Sequence, residues 1–309
     1  MNLSVIIPAY NEFENIKNTI SEIFSVTDKI PEIKKAEVII VDDHSSDNTY
    51  DSVVGLGNPR VKALRLSRRS GSHIAIRAGL KEAIGDAALC ISADGQDDPS
   101  CLGAMLEKLR KGANTVCALR KNRSNEPWYV KRPARFFYRV LILLGGAGGT
   151  DIDVSRVNFF LMDKVVVKAI NNCPERNTST FGLVLWLGFN QDFVEYDRRA
   201  RRFGKSKWSF TKHLHLASDW IIGFSGLPLT LILAGGIIVT ALGFFYAISL
   251  AINVIMGNPA RGWAPVMAAV LLLSGVQMMM IGMIGEYLWR NLDESRKRPL
   301  FFIEKRSYQ

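Results

Sequence analysis

Cysteine is scarce in this sequence, and the paired spacing that would give it chemistry is missing. The four cysteines, Cys90, Cys101, Cys117 and Cys173, form no CxxC pair. That excludes a zinc ribbon or a redox dithiol, and they read as reduced thiols. No GxxxxGK[ST] phosphate loop and no GxSxG nucleophile elbow occurs. The run Gly145-Gly146-Ala147-Gly148-Gly149 does not fit GxGxxG and reads as a flexible loop. His213 and His215 stand two residues apart, a spacing that puts them on different faces of a helix and argues against a metal pair. The N-terminus, Met1-Asn2-Leu3-Ser4-Val5-Ile6-Ile7-Pro8, lacks the basic start and the long apolar run of a signal peptide.

What is present points to two unlike parts. The 309 residues suggest about two domains. Hydrophobic residues make up 48% of the chain and the mean hydropathy is +0.09, which excludes a disordered chain. Charged residues at 22% are too many for a pure membrane bundle. No charge occurs in residues 220–260, nor in residues 262–285, and each run is long enough to cross a bilayer. Asn258-Pro259-Ala260-Arg261-Gly262 breaks them. The expectation is two transmembrane helices, about 227–256 and 264–288, within a membrane domain of residues 216–290. A cytosolic domain of residues 1–215 precedes it and a basic cytosolic tail of residues 291–309 follows.

The basic residues set an orientation. Arg198, Arg199, Arg201, Arg202, Lys205, Lys207 and Lys212 precede the first run, and Arg290, Arg296, Lys297, Arg298, Lys305 and Arg306 follow or close the second. The intervening loop has only Arg261. The positive-inside rule then places both termini in the cytoplasm and makes the chain an integral plasma-membrane protein. The net charge of +10 clusters beside these runs without a recognition motif. Attraction to anionic lipid explains it better than nucleic acid.

The first 120 residues alternate short apolar runs with helical stripes. Strands are expected at 3–7, 38–41, 61–66, 87–92 and 115–119, and helices at 12–24, 72–83 and 101–109. Such alternation predicts an α/β fold with a mainly parallel sheet, whose ligand lies beyond the carboxyl ends of the strands. Tyr10-Asn11-Glu12, Asp42-Asp43, Ser67-Arg68-Arg69 and Asp94, Gln96, Asp97 and Asp98 gather at those ends. Further on, residues 132–144 read as a basic amphipathic helix suited to the membrane surface or as an ordinary packed helix. Residues 209–219 read as a second interfacial helix.

Oxygen ligands on a loop suit Mg2+ or Mn2+, so Asp94 and Gln96 are the metal candidates, with phosphates supplying further ligands. Asp42 or Asp43 could accept hydrogen bonds from a base or a ribose. Some of these acids could equally be helix caps, as Asp47 and Asp98 could be. The set at successive strand ends favours a nucleotide site.

The segments Ser4-Val5-Ile6-Ile7-Pro8-Ala9-Tyr10-Asn11-Glu12, Val41-Asp42-Asp43-His44-Ser45-Ser46-Asp47 and Ser92-Ala93-Asp94-Gly95-Gln96-Asp97-Asp98-Pro99 resemble those of family 2 glycosyltransferases. Arg202-Phe203-Gly204-Lys205-Ser206-Lys207-Trp208 ahead of two apolar runs resembles the polyprenyl-phosphate branch, which includes dolichyl-phosphate mannose synthases and undecaprenyl-phosphate glycosyltransferases. The resemblance implies a glycosyltransferase A type sheet, a nucleotide-diphosphate-sugar donor, a divalent metal, a polyprenyl phosphate acceptor and inversion at the anomeric carbon. A homo-oligomer is left open. By resemblance, Pro8, Tyr10, Glu12 and Asp43 line the nucleoside pocket, with Asp42 and Gly71 close by. Arg120 and Arg123 lie near the phosphates, Asp94 and Gln96 hold the metal, and Arg202, Ser206 and Lys207 close over donor and acceptor phosphates.

Three positions depart from the family pattern, Ser92, Asn158 and Phe160, the last standing in place of an arginine. Ser92 stands where an Asp-x-Asp motif has its first carboxylate, and Asn158 stands where an aspartate has been considered a catalytic base. Asp151 and Asp153 lie a few residues upstream. A phosphate monoester has a second pKa of about 6, so the acceptor is already anionic and can attack without a strong base. A processive polysaccharide synthase is the rival enzyme, but its Q-x-x-R-W signature is missing. An inactive scaffold with the same fold is the rival outside enzymes.

Overall fold

Leu3, Val5, Ile6 and Ile7 are buried almost without interruption, the pattern of a strand covered on both faces. In the computed structural model this run is β1 (Asn2–Ala9), the middle of an eight-stranded sheet. The structure describes residues 1–121, 157–175, 179–199, 227–256 and 262–308. The other strands are β2 (Lys35–Asp42), β3 (Val61–Leu66), β4 (Ala87–Cys90), β5 (Thr115–Arg120), β6 (Val157–Asp163), β7 (Gln191–Tyr196) and β8 (Ile303–Arg306), in the order β7-β5-β6-β4-β1-β2-β3-β8. Only β6 and β8 run against the others. The sheet is therefore mixed, with the parallel part expected from the alternating sequence.

The helices are α1 (Phe13–Thr27), α2 (Thr49–Val54), α3 (Ser72–Glu82), α4 (Leu102–Arg110), α5 (Lys164–Asn172), α6 (Thr180–Trp186), α7 (Leu227–Ile255) and α8 (Ala264–Ser295). On one face of the sheet, Leu3, Val5 and Ile7 pack with Ile16, Ile20 and Ile23 of α1 and Met105 and Leu106 of α4. On the other, Ile6 packs with Leu80 of α3, Val166 and Ile170 of α5 and Leu183 of α6. Each fully buried Ile or Leu stabilises the fold by about 1.5–3 kcal/mol. Helix α3 lies close on β1 because Gly79 faces it: a Cβ there would meet Ile6 Cγ2 at 2.5 Å. Arg77 of α3 is buried, and its guanidinium donates to the Cys173 and Glu175 carbonyls beyond α5. A cation is favoured at that helix end.

The chain divides into two units, Met1–Trp220 with Pro299–Gln309, and Ile221–Arg298. The second unit contains α7 and α8. Among the described residues one helix is long and apolar enough to cross a membrane, over Leu229–Tyr246 in α7. Helix α8 continues past the expected end at residue 288 to Ser295, with Arg290 paired to Glu286 at 3.0 Å. Residues 303–306, read from sequence as part of a tail, form β8 antiparallel to β3.

Candidate functional site

Because β1, β2, β3 and β4 are parallel neighbours, their carboxyl ends share one edge of the sheet. The loops after β1 and β2 are tied together there. Asn11 takes a left-handed conformation with φ 52°, which asparagine tolerates better than most side chains. Its backbone N–H donates to Ser45 Oγ at 2.9 Å, and its side-chain Oδ1 accepts from Ser46 N at 2.9 Å. Glu12 N donates to Thr49 Oγ1 at 3.0 Å, and Glu12 Oε2 accepts from Asn15 Nδ2 at 2.7 Å. Pro8, within β1, lies beside Val41.

The two adjacent aspartates have different jobs. Asp42 is fully buried and accepts from Arg65 Nη1 at 2.7 Å and from Ser45 N at 3.2 Å. Burial pushes its carboxyl above the usual range, against the pull of Ser45 and Arg65. Asp43 accepts from Ser70 N at 2.6 Å and Gly71 N at 2.9 Å. Burial raises its carboxyl too, opposed by those amides. Gly71 has φ +93°, a conformation that disfavours any Cβ, and begins α3. Asp43 thus fixes the loop after β3, and Arg69 of that loop lies 3.9 Å from the Tyr10 ring centroid. An aromatic ring with a guanidinium over it suits the stacking of a flat base.

The loop after β4 is an acidic turn with a cationic brace. Asp94 Oδ1 accepts from Ser92 Oγ at 2.9 Å and from Gln96 N at 3.2 Å. Ser92 Oγ also meets Asp97 Oδ2, and Asp97 Oδ1 accepts from Tyr196 Oη at 2.7 Å. Arg198 donates to Gln96 Oε1 at 2.7 Å, and Arg199 N donates to Gln96 O at 3.0 Å. Arg199 also pairs with Asp98 at 2.8 Å and with Glu22. Burial pushes the Asp98 carboxyl up, but Ser100 and Arg199 outweigh it and hold it below the usual range.

One hydroxyl hydrogen cannot serve two carboxylates at once. The Ser92 hydroxyl can therefore serve only Asp94 or Asp97 at a time, and a divalent cation on Asp94 would offset the close approach of the two carboxyl groups. Among the described residues no group of three or more His, Cys, Asp or Glu side chains is placed to hold a metal alone. The residues fit an ion that brings phosphate oxygens and water as its other ligands, as Mg2+ commonly does. Gln96 would join them by exchanging its Arg198 hydrogen bond.

Arg120 ends β5 opposite Tyr196 of β7. Asn158, near the start of the antiparallel β6, belongs to this same edge of the sheet. Arg123, Arg202, Ser206 and Lys207 lie outside the described residues, as do Asp151, Asp153, His213, His215, the glycine run 145–149 and the expected interfacial helices at 132–144 and 209–219. The structure adds Arg65, Tyr196 and the pairing of Arg198 and Arg199 with the Asp94 loop. Each holds a candidate residue in place.

Acidic turns and the Tyr10–Arg69 pair thus line the carboxyl edge of the parallel strands, the edge at which open α/β sheets bind their ligands. The family described as Glycosyl transferase family 2 matches residues 4–169, and the chain belongs to that family. A Synechocystis sp. protein named as a glycosyltransferase is 37% identical over 306 residues, covering 98% of this chain and 95% of its own length. The bactoprenol glucosyl transferase of Shigella phage SfX is 32% identical over 311 residues, covering 99% of this chain and 100% of its own. A prophage bactoprenol glucosyl transferase homolog of Escherichia coli is also 32% identical, covering 99% of both chains. Among solved structures, glucosyl-3-phosphoglycerate synthase of Mycobacterium tuberculosis, in complex with Mn2+, UDP and phosphoglyceric acid, superposes with a TM-score of 0.51 at 17% identity. That match covers 72% of this chain and 76% of the synthase. The fold is thus of the glycosyltransferase A type, and the chain is a glycosyltransferase.

Proposed function

We propose that the chain transfers one sugar from a nucleotide-diphosphate sugar to a polyprenyl phosphate at the cytoplasmic face of the membrane, with inversion and with Mg2+ or Mn2+. The observation that carries this reading is the end-to-end match to proteins named bactoprenol glucosyl transferase, long helices included. On the donor side, Tyr10, Asp43 and the Arg69 loop would take the nucleoside, with Asp42 holding the turn beneath them. Asp94 and Gln96 would face the diphosphate. They would hold a divalent cation there, which would supply positive charge to offset that of the leaving nucleoside diphosphate.

The rest of the chemistry is positioning. The acceptor phosphate is anionic at neutral pH, so its oxygen forms the new bond to the anomeric carbon as the bond to the nucleotide breaks. No proton has to be removed in that step, so Asn158 is compatible with it. Arg120, Arg123, Arg202, Ser206 and Lys207 would hold phosphate oxygens in line. The test is a panel of UDP-glucose, UDP-N-acetylglucosamine and GDP-mannose with undecaprenyl phosphate and either metal. One donor is expected to release nucleotide only when lipid and metal are both present, and to leave one sugar on the lipid. Longer products would favour a processive synthase, and no release with any donor would favour a scaffold.

Chain connectivity restricts the membrane half of the proposal to an even number of crossings. The chain leaves the sheet-containing unit at Trp220 and re-enters it at Pro299, and β8 then pairs with β3. A single crossing would strand β8 on the far side of the bilayer from its partner. Two crossings, by α7 and α8, satisfy the pairing. In a background freed of native cysteines, a cysteine at position 258 should react with an impermeant reagent in intact cells, and one at 307 should react only after permeabilisation. Labelling of position 307 from outside would put the donor site in the wrong compartment and end the proposal.

A further inference from the structure

The segment after α8 is bound to the nucleotide half of the sheet along its length. Ser67 N donates to Phe302 O at 2.9 Å, Ser307 N to Ala63 O at 3.0 Å, and Ala63 N to Ser307 Oγ at 2.8 Å. Phe301, Ile303 and Tyr308 pack against the buried cluster of Leu64, Leu66, Ala75 and Ala78. These contacts explain why the strand stays on the sheet. They do not explain Glu304, whose side chain is 40% exposed and adds little to the packing.

Glu304 is joined instead to the candidate nucleoside pocket. Its Oε2 accepts from Arg65 Nε at 3.1 Å. The same guanidinium gives Nη1 to Asp42 Oδ2 at 2.7 Å and Nη2 to the Ser45 carbonyl at 3.0 Å. His44 Nδ1 lies 3.1 Å from the Leu66 carbonyl, to which it can only donate, and 3.6 Å from Glu304. A guanidinium is a rigid planar fork, so three acceptors on three of its nitrogens fix both its plane and its rotation. Arg65 is thereby the part that shapes the turn from Asp42 to Ser46, and Glu304 is the acceptor that comes from outside the turn. Without it the Nε edge turns to water, and the guanidinium is free to rock on Asp42 and Ser45.

We propose that Glu304 is a positioning residue for the donor nucleotide: acting through Arg65, it holds the Asp42–Ser46 turn in the shape that receives the nucleoside. The strand that follows the two long helices is then part of donor recognition as well as an edge of the sheet. This rests on the reading of Asp43 and Tyr10 as the nucleoside pocket, and the test separates the two.

The experiment uses the full chain in detergent, with UDP and GDP each titrated in Mg2+ and donor kinetics measured in parallel. Glu304→Ala should weaken binding of the preferred nucleoside diphosphate about fivefold, the size of a part-exposed ion pair, and raise the donor KM to match with kcat nearly unchanged. Glu304→Gln keeps an acceptor and should recover part of the loss. It also provides the measurement if the alanine variant folds poorly. Lys305→Gln, on the same strand, should bind like the parent. Folded Glu304 variants that bind and turn over like the parent overturn the proposal, as does an equal loss in Lys305→Gln. A parent protein that binds neither nucleotide overturns the pocket reading itself.

Discussion

Asp94→Asn is expected to lower sugar transfer about a hundredfold or more and to remove most of its response to Mg2+ or Mn2+. Asparagine keeps the size of the side chain and its bonds to Ser92 and the Gln96 amide, but it loses the charge that would hold a cation. Ser92→Ala should cost about tenfold or less, because it removes hydrogen bonds and no charge. In the structure the Ser92 hydroxyl touches both Asp94 and Asp97. Its loss should therefore blur the position of Asp94 rather than abolish binding. The measurement is a metal titration of transfer in both variants, with nucleotide binding followed alongside. Abolished transfer in Ser92→Ala beside normal transfer in Asp94→Asn would reverse the assignment.

A related expectation concerns the order of binding. One carboxylate, already bonded to Ser92 and the Gln96 amide, and a side-chain amide bonded to Arg198 make a weak metal site by themselves. Metal affinity should rise steeply when a nucleoside diphosphate is present, because the diphosphate supplies the remaining oxygens. Asp97 and Tyr196 belong to the frame of this site. Asp97 is buried, and its two oxygens are occupied by Tyr196 and Ser92.

The parallel half of the sheet was legible in the sequence because its strands are near-continuous apolar runs. Val38, Ile39, Ile40 and Val41 are all buried, and acidic residues mark where the run ends. Strand β8 could not be read the same way. Ile-Glu-Lys-Arg is four residues with one apolar side chain, and its pairing partner β3 lies more than 200 positions away in the chain. Its stability comes from backbone pairing and from flanking Phe301 and Tyr308, neither of which leaves a periodic trace. Strand β7, an edge strand with mixed burial, was missed for the same reason.

The site divides along a similar line. Asp43 and Asp94 stood out as candidates because an acid at or shortly after the end of a buried strand lies at the loop edge. Arg65 was not, since Val-Lys-Ala-Leu-Arg-Leu reads as an ordinary strand whose polar residues face solvent. Only the fold shows that this arginine turns toward a fully buried carboxylate. Tyr196 is equally silent, because its partner Asp97 lies 99 residues away. The candidate ligand contacts stand out by residue type and place, whereas the residues that hold them depend on pairings that the sequence does not spell out.

Lys207→Ala should cut transfer to the lipid about a hundredfold while leaving nucleotide binding nearly unchanged. The segment from Arg202 to Lys207 begins three positions after Arg199, which is itself paired with Asp98 beside the candidate diphosphate site. Three cations, a serine and a glycine in such a stretch suit a segment that holds phosphate oxygens by charge-assisted hydrogen bonds. Loss of the ammonium would leave an anionic acceptor beside an anionic donor with less to offset their repulsion. The effect should fall on kcat/KM for polyprenyl phosphate, and Lys207→Arg should restore a good part of it, since the charge remains. Arg202→Ala should behave similarly if the two act on the same pair of phosphates, and the double variant should then lose less than the product of the two single losses. The decisive readout is transfer measured at saturating donor with the lipid concentration varied, alongside nucleotide titration of the same preparations. Unchanged lipid kinetics in Lys207→Ala would take the segment out of the mechanism and leave the phosphates to Arg120 and Arg123.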